Sequence, residues 1–338
     1  MFNYGDVLDL PLIWGGLIAF SVFVYVLLDG FVLGCGILFP FTGSDEKRDL
    51  IMQSVAPFWD GNETWLVLGG GGLFAAFPVA YGVIMSGLYL PVIFMLFGLI
   101  MRGVAFELRF KSSKHRYVWN FFFAFGSNAA AFFQGMMLGT LIHGLEASNR
   151  LYTGGPFDWV SPFSIMCGFA LIIGYALLGS TWLIIKTEHK LQVWARKVTN
   201  WMLSALIAAM VAVTVSMYFS DIKALEGWFS FPGLLYLAPM PIIVLLIFFL
   251  LRKDLNTERE YRPFILTVGL FLMGYIGVCL AIFPYIIPYQ MTIYEAAAAD
   301  TTLSFLLIGA GVMIPIILSY TAFGYYTFKG KTSSEDGY

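Results

Sequence analysis

Five residues in the first third of the chain have acid–base or ion-pair chemistry and stand among neighbours that otherwise exclude charge. Asp60 and Glu63 belong to Trp59-Asp-Gly-Asn-Glu63, at the head of a run that stays uncharged until Arg102. Three residues apart, they share one face of a helix. Asp29 lies within Leu28-Asp-Gly-Phe-Val-Leu-Gly-Cys-Gly36, deep in an apolar stretch, and Arg102 and Glu107 close a further one. A carboxylate in such surroundings must be protonated, paired or hydrated, and its default reading is functional. Arg102 cannot give up its charge and requires a counter-ion or an anionic ligand. It does not share a helical face with Glu107, five residues on, so Asp60 or Asp29 on an adjoining helix is its natural partner. The bland alternatives are a solvated helix end for Asp60 and Glu63, a structural hydrogen bond for Asp29 and a structural ion pair for Arg102.

The elements that must position these groups are membrane helices. Only 12% of the 338 residues are charged and mean hydropathy is +0.80, against about 25% charged in soluble domains. A net charge of −2 offers nothing to a nucleic acid. Cys35, Cys167 and Cys279 are scattered through apolar segments and read as small buried hydrophobes. Asp6 and Asp9 make the start of the chain acidic where a signal peptide is basic, and no small-residue cleavage site follows the first apolar run, so that run is expected to be retained. Spans of about 20 apolar residues are expected at 11–41, 56–79, 83–109, 118–145, 158–186, 194–219, 231–252, 262–287 and 301–328, making one membrane domain of nine helices. Residues 329–338 read as a loose C-terminal tail.

The basic residues orient these spans. Lys47, Arg48, Arg109, Lys111, Lys114, Arg116, Lys186, Lys190, Arg196, Lys197, Arg252, Lys253, Arg259, Arg262, Lys329 and Lys331 fall after odd-numbered spans, while only Arg150 and Lys223 fall on the other side. The positive-inside rule then places the N-terminus outside and the C-terminus in the cytoplasm. Asp29, Asp60, Glu63, Arg102 and Glu107 all come to lie in the cytoplasmic half of the membrane, Arg102 about 10 Å deep.

Two other features are weighed against bland readings. Gly69–Gly72 lacks the Lys-Ser/Thr of a phosphate loop and lies within a span, so close helix packing is expected there, with approach of another subunit or a cofactor as the alternative. His115 and His189 fall in cytoplasmic connections and His143 near the outer end of the fourth span; three histidines so placed do not converge on a haem or zinc. An acid-lined interior without a redox centre of its own suits a proton-coupled transporter, a proton channel, or an accessory subunit of a proton-moving complex.

The motifs carry the choice further. Asp29-Gly-Phe followed by Gly34-x-Gly36, Trp59-Asp-Gly-Asn-Glu63-x-Trp65, Leu73-Phe-Ala-Ala-Phe-Pro78, Arg102-Gly-Val-Ala-Phe-Glu-Leu-Arg109, Phe283-Pro, Thr292-Ile-Tyr-Glu-Ala-Ala297 and Pro315-Ile-Ile-Leu-Ser-Tyr-Thr321 stand in an order that resembles subunit II of the cytochrome bd-type quinol oxidases, including their cyanide-insensitive branch. The resemblance implies two four-helix bundles plus one peripheral helix, paired with a subunit I that ligates the b haems and a d-type or variant haem. It implies a bacterial inner-membrane heterodimer that takes electrons from quinol and protons from the cytoplasm and reduces oxygen to water. A structural quinone and small single-span subunits are compatible with it, and membrane lipids surround it. By the same resemblance, the proton pathway would draw on Asp29, Asp60, Glu63, Arg102 and Glu107, with Trp59 and Gly69, Gly70, Gly71 and Gly72 packing near the subunit and haem boundary, and no catalytic or metal-binding residue in this chain. Two departures matter: Val32 stands where the family has a second Asp, and Glu63 where relatives can carry Gln, which makes Asp60 the preferred carrier. A stand-alone proton-coupled transporter is the second expectation.

Overall fold

The computed structural model describes residues 8–112, 114–219, 231, 235 and 238–332. Long uninterrupted apolar runs form long helices because a chain in hydrocarbon must satisfy its backbone within itself. Helix α1 spans Leu10–Leu38, started by Asp9 accepting from the Leu12 amide at 3.1 Å. A 3₁₀ turn, Phe39–Thr42, extends it, and Gly43 at φ 78° ends it. Then come α2 (Asp45–Val55), α3 (Trp59–Ala76), α4 (Pro78–Arg109), α5 (Arg116–His143), α6 (Pro162–Lys186) and α7 (His189–Phe219), followed by α8 (Pro239–Asp254), α9 (Tyr261–Ile282), the single turn α10 (Ile293–Ala296) and α11 (Asp300–Thr327). Two small antiparallel hairpins punctuate the connections: β1 (Ala147–Ser148) with β2 (Leu151–Tyr152), and β3 (Tyr285–Ile287) with β4 (Met291–Thr292).

Seven of these helices are long and apolar enough to cross a membrane: α1, taken with its 3₁₀ turn, α4, α5, α6, α7, α9 and α11. The other two candidates fall short for physical reasons. Helix α3 opens on Asp60 and Glu63 and carries five glycines, and α8 has 16 residues, about 24 Å at helical rise.

Several boundaries differ from those expected. Helices α3 and α4, which fall on the expected second and third spans, meet at Phe77, whose φ −134°, ψ 63° breaks the helix, rather than near residue 81. The sixth begins at His189, and the eighth ends at Ile282, with 285–287 forming a strand. The interval 42–55, expected to be a plain connection, holds α2. Ser44 caps it, its first turn holds Asp45, Glu46, Lys47 and Arg48, and Ile51, Met52 and Val55 are buried. The start of the expected 231–252 span lies largely outside the described residues, as do Lys223 and residues 333–338. The first part of the tail is not loose. Lys331 Nζ meets Glu260 at 2.7 Å and donates to the Thr187 carbonyl at 3.1 Å, the Thr332 amide donates to the Lys186 carbonyl at 2.8 Å, and Lys186 Nζ donates to the Phe328 carbonyl.

Helices α1, α3, α4 and α5 pack side to side into a closed four-helix ring; α6 lies against α1 and α5, α7 and α9 against α6, α8 against α9, and α11 touches α1 and α3. Two glycine seams draw the inner helices together. A Cβ on Gly34 of α1 would overlap the Tyr175 carbonyl of α6, and one on Gly98 of α4 would stand 2.7 Å from the Gly126 carbonyl of α5. Backbones this close exclude any larger residue.

Contacts also sort the connections by end. At one end, Asp49 of α2 accepts from Arg109 at 2.5 Å and Arg116 at 3.0 Å, Trp182 donates to the Ser54 carbonyl at 3.3 Å, and Gln192 donates to Glu260 at 2.6 Å. At the other end, Tyr294 donates to Asp9 at 2.9 Å, Trp14 donates to the Leu303 carbonyl at 3.0 Å, and the Ala298 amide donates to the Ala76 carbonyl at 2.9 Å. The first end gathers the basic connections.

Candidate functional site

Arg102 lies on α4 one turn after Gly98, beside the seam where Gly126 of α5 closes on the α4 backbone, and its own side chain is 0% exposed. Its guanidinium forks between two helices. Nη1 donates to Asp29 Oδ1 of α1 at 2.5 Å, and Nη2 donates to Glu63 Oε1 of α3 at 2.6 Å. The planar fork makes this possible, since it presents two donors in fixed directions where an ammonium presents a point charge. Asp29 is as buried as Arg102, while Glu63 is 33% exposed. Two carboxylates on one guanidinium leave a formal charge of −1 in the interior.

Neighbouring side chains pin the three helices. Asn62 Nδ2 donates to the Leu28 carbonyl at 2.7 Å and its Oδ1 accepts from Tyr325 of α11 at 3.3 Å. Trp59 stacks on Phe106 with ring centroids 5.2 Å apart, over a space that Gly103 leaves open. Behind Asp29 a further polar file enters the core. Tyr25, one turn earlier on α1, faces Asp29. Gln134 of α5 donates to the Tyr25 hydroxyl at 2.8 Å, and Tyr175 of α6 donates to Gln134 at 2.7 Å. Asp29 Oδ2 and Arg102 Nε are buried and have no hydrogen-bond partner among the described residues.

The expected residues are therefore divided. Asp29, Glu63 and Arg102 come together. Asp60 does not reach Arg102: it lies exposed on the outer face of α3, one turn from Glu63 and on the stripe that continues through Thr64, Val67, Gly71 and Phe74. Glu107 is also outside the cluster. It is 66% exposed and pairs with Lys111 at 3.3 Å, because five residues along α4 turn it away from Arg102. The four glycines of the Gly69–Gly72 run split likewise: Gly69 and Gly72 pack on Val22 and Ile18 of α1, while a Cβ at Gly70 or Gly71 would meet nothing within 4 Å among the described residues. Tyr25, Gln134, Tyr175 and Tyr325 were not singled out from sequence. Gln134 carried the available signal, an uncharged amide within a largely apolar span, where a polar group needs a partner, although Asn128 in the same span carries it equally.

His115, His143 and His189 are all exposed, two at the basic end and one at the opposite end. No group of three or more His, Cys, Asp or Glu side chains that could hold a metal ion occurs among the described residues. The histidines of this chain thus do not fit a shared haem site.

The chain is thus a multi-pass, predominantly helical membrane protein with a buried ion-paired cluster and no converging metal ligands among its described residues. The chain belongs to the family of cytochrome bd terminal oxidase subunit II, whose model matches residues 10–328. It is 27% identical over 337 residues to cytochrome bd ubiquinol oxidase subunit 2 of Bacillus subtilis (strain 168), covering 96% of this chain and 97% of the relative. It is also 27% identical over 374 residues to cytochrome bd-I ubiquinol oxidase subunit 2 of Escherichia coli (strain K12), covering 97% and 96%. A solved structure, the bd oxidase from Geobacillus thermodenitrificans, superposes with a TM-score of 0.78 at 15% identity, over 95% of this chain and 99% of that one. These relatives are subunits of a terminal oxidase, and the fold is that of a bd oxidase subunit.

Proposed function

We propose that this chain is the haem-free partner in a bacterial inner-membrane quinol:oxygen oxidoreductase, stabilising a haem-bearing subunit I and supplying cytoplasmic protons for reduction of oxygen to water. The complex would use b haems and a d-type or variant haem, which supply the oxygen chemistry from subunit I, with quinol as electron donor. Nine crossings, with the N-terminus outside, follow from reading α3 and α8 as the second and seventh spans, and the gathering of the basic connections at one end supports this arrangement.

The observation that carries the proton reading is the Asp29–Arg102–Glu63 bridge. Arg102 keeps its proton, so any proton held there resides on a carboxylate. The formal −1 of the trio lets one proton enter without leaving the interior positive. Asp60, exposed on α3 at the basic end, and Glu63, one third exposed, form the two outer steps; Asp29 is the buried one. Oxygen reduction consumes protons in a site without bulk water, so groups that accept and release them must reach it from the surface.

The test is proton uptake in the assembled complex. Glu63→Gln and Asp60→Asn, each co-expressed with subunit I, are expected to retain haem content while slowing turnover and flash-triggered proton uptake, by about 10²-fold for an essential carrier. Asp60→Glu should restore part of the rate. Normal haem bands with wild-type uptake in both variants would remove these carboxylates from the route. The stand-alone transporter is tested by the visible spectrum of membranes with and without the neighbouring subunit: a haem signal that does not depend on co-expression counts against the oxidase complex.

A further inference from the structure

Arg102 holds Asp29 by one oxygen only. Oδ1 accepts from the guanidinium, while Oδ2 is buried with no hydrogen-bond partner among the described residues. A buried acceptor of this kind calls for a donor. Three tyrosines from three helices lie near enough for Asp29 to act on their hydroxyls: Tyr25 of α1, Tyr175 of α6 and Tyr325 of α11. A phenol has one proton to donate. Tyr175 spends its proton on Gln134 Oε1 at 2.7 Å, and Tyr325 on Asn62 Oδ1 at 3.3 Å. Tyr25 differs from both. Its hydroxyl accepts from Gln134 Nε2 at 2.8 Å, its own proton goes to no other acceptor among the described residues, and it stands within hydrogen-bonding reach of Asp29.

The packing behind Tyr25 gives that hydroxyl a direction. Tyr175 lies on Gly30, the residue after Asp29, where a Cβ would meet its Cε1 at 2.7 Å. The α1–α6 seam thus seats Tyr175, the Tyr175 O–H fixes which way the Gln134 amide points, and the amide donates to Tyr25. With a lone pair taken by Gln134, the Tyr25 O–H turns to the acceptor still unmet. Every donor in the file then runs toward Asp29, and bonds aligned in this way strengthen one another in a low-dielectric interior. An amide neither releases nor takes up a proton near neutral pH, so the file can orient a carboxylate but carries no proton itself.

We propose that Tyr25 is a positioning residue for Asp29, donating its O–H to Oδ2 while Arg102 holds Oδ1, with Gln134 and Tyr175 keeping Tyr25 in place. Donors on both oxygens fix the plane of the carboxylate between α1 and α4. The consequence for turnover rests on the proton route proposed above; the hydrogen bond does not.

Infrared spectra of the complete oxidase complex, with and without a heavy carbon isotope in the side-chain carboxyl of aspartate, read the bond. Tyr25→Phe keeps the ring and removes the hydroxyl. Its spectrum subtracted from wild type should leave a displaced carboxylate band that moves with the label. Gln134→Met should give the same band at lower amplitude. Tyr275→Phe, which removes a hydroxyl that donates to the Ala19 carbonyl at 2.7 Å, should give none. Tyr25→Phe should also lower turnover on the order of tenfold at full haem content, the scale of one hydrogen bond to a charged group. Absence of a label-sensitive band in Tyr25→Phe overturns the proposal, and so does an equal band in Tyr275→Phe. A label-sensitive band with wild-type turnover supports the positioning bond and removes Asp29 from the proton route, so the two readings fail separately.

Discussion

The same pairing, an arginine or lysine against a carboxylate, occurs in two settings whose consequences differ. Between α1, α3 and α4, Arg102 and Asp29 are both 0% exposed and the pair is sealed by helices. At the basic end, Lys331 meets Glu260 with both side chains about a third exposed, and Arg259, 54% exposed, meets a buried Asp254 that Arg262 also pairs at 3.0 Å. Water serves as an alternative partner at the surface, so breaking a pair there costs little. Inside, a broken pair leaves a charge with nowhere to go. The glycine seams create the difference: helices that touch backbone to backbone at Gly34 and Gly98 leave no room for solvent beside Arg102. On α11 a Cβ at Gly309, Gly311 or Gly324 would meet nothing within 4 Å among the described residues, and those positions set no such constraint.

Substitutions should reproduce this contrast. The largest effect is expected from Arg102→Gln, which strands Asp29: about 3–5 kcal/mol of lost stability, seen as a collapse in yield or thermal midpoint of the assembled complex. Arg102→Lys should recover only part, because an ammonium cannot fork to Asp29 and Glu63. If Arg259→Gln destabilised as much as Arg102→Gln, burial would not be what separates the two settings.

Gly34→Ala comes next. Its new methyl overlaps the Tyr175 carbonyl, and overpacking of this kind costs about 1–3 kcal/mol. Gly311→Ala should leave the thermal midpoint within error. Equal responses would mean that the α1–α6 seam yields more readily than its backbone contact implies.

The smallest effect belongs to the C-terminal clasp. Burial works to raise the Glu260 carboxyl, but hydrogen bonds from Lys331 and Gln192, with the charges of Lys331 and Arg196, hold it below its ordinary value. A depressed folded value means the clasp contributes fully above the unfolded carboxyl range, about pH 4.3, and is lost as pH falls through the lower folded value. Lys331→Gln should cost under about 1 kcal/mol. It should speed proteolysis of the C-terminal segment at neutral pH, and wild type should approach the variant's rate only in acid. A rate that is flat with pH in wild type would show that backbone contacts alone hold the segment.

Much of this organisation was legible in the chain. Apolar runs such as 11–41 and 301–328 locate helices because hydrocarbon leaves the backbone no other solution, and the ordered motifs around Asp29, Trp59 and Arg102 point to the family that matches residues 10–328. Helix α2 was missed because eleven residues with five charges near their start look like a connection; only a membrane-end position and the packing of Ile51, Met52 and Val55 make them a helix with a buried face.

The sequence by itself determined that Arg102 needs a buried counter-charge, since an arginine in an apolar span has no neutral form to adopt. Which carboxylate meets it was decided by tertiary structure. Asp60 and Glu63 are one turn apart on α3, so sequence spacing treats them alike. The rotation of α3 is set elsewhere, by Gly69 and Gly72 seating on Val22 and Ile18 of α1 and by Asn62 reaching the Leu28 carbonyl. That rotation turns Glu63 inward to Arg102 and leaves Asp60 on the outer face, and a helix's rotation depends on contacts with residues distant in the chain.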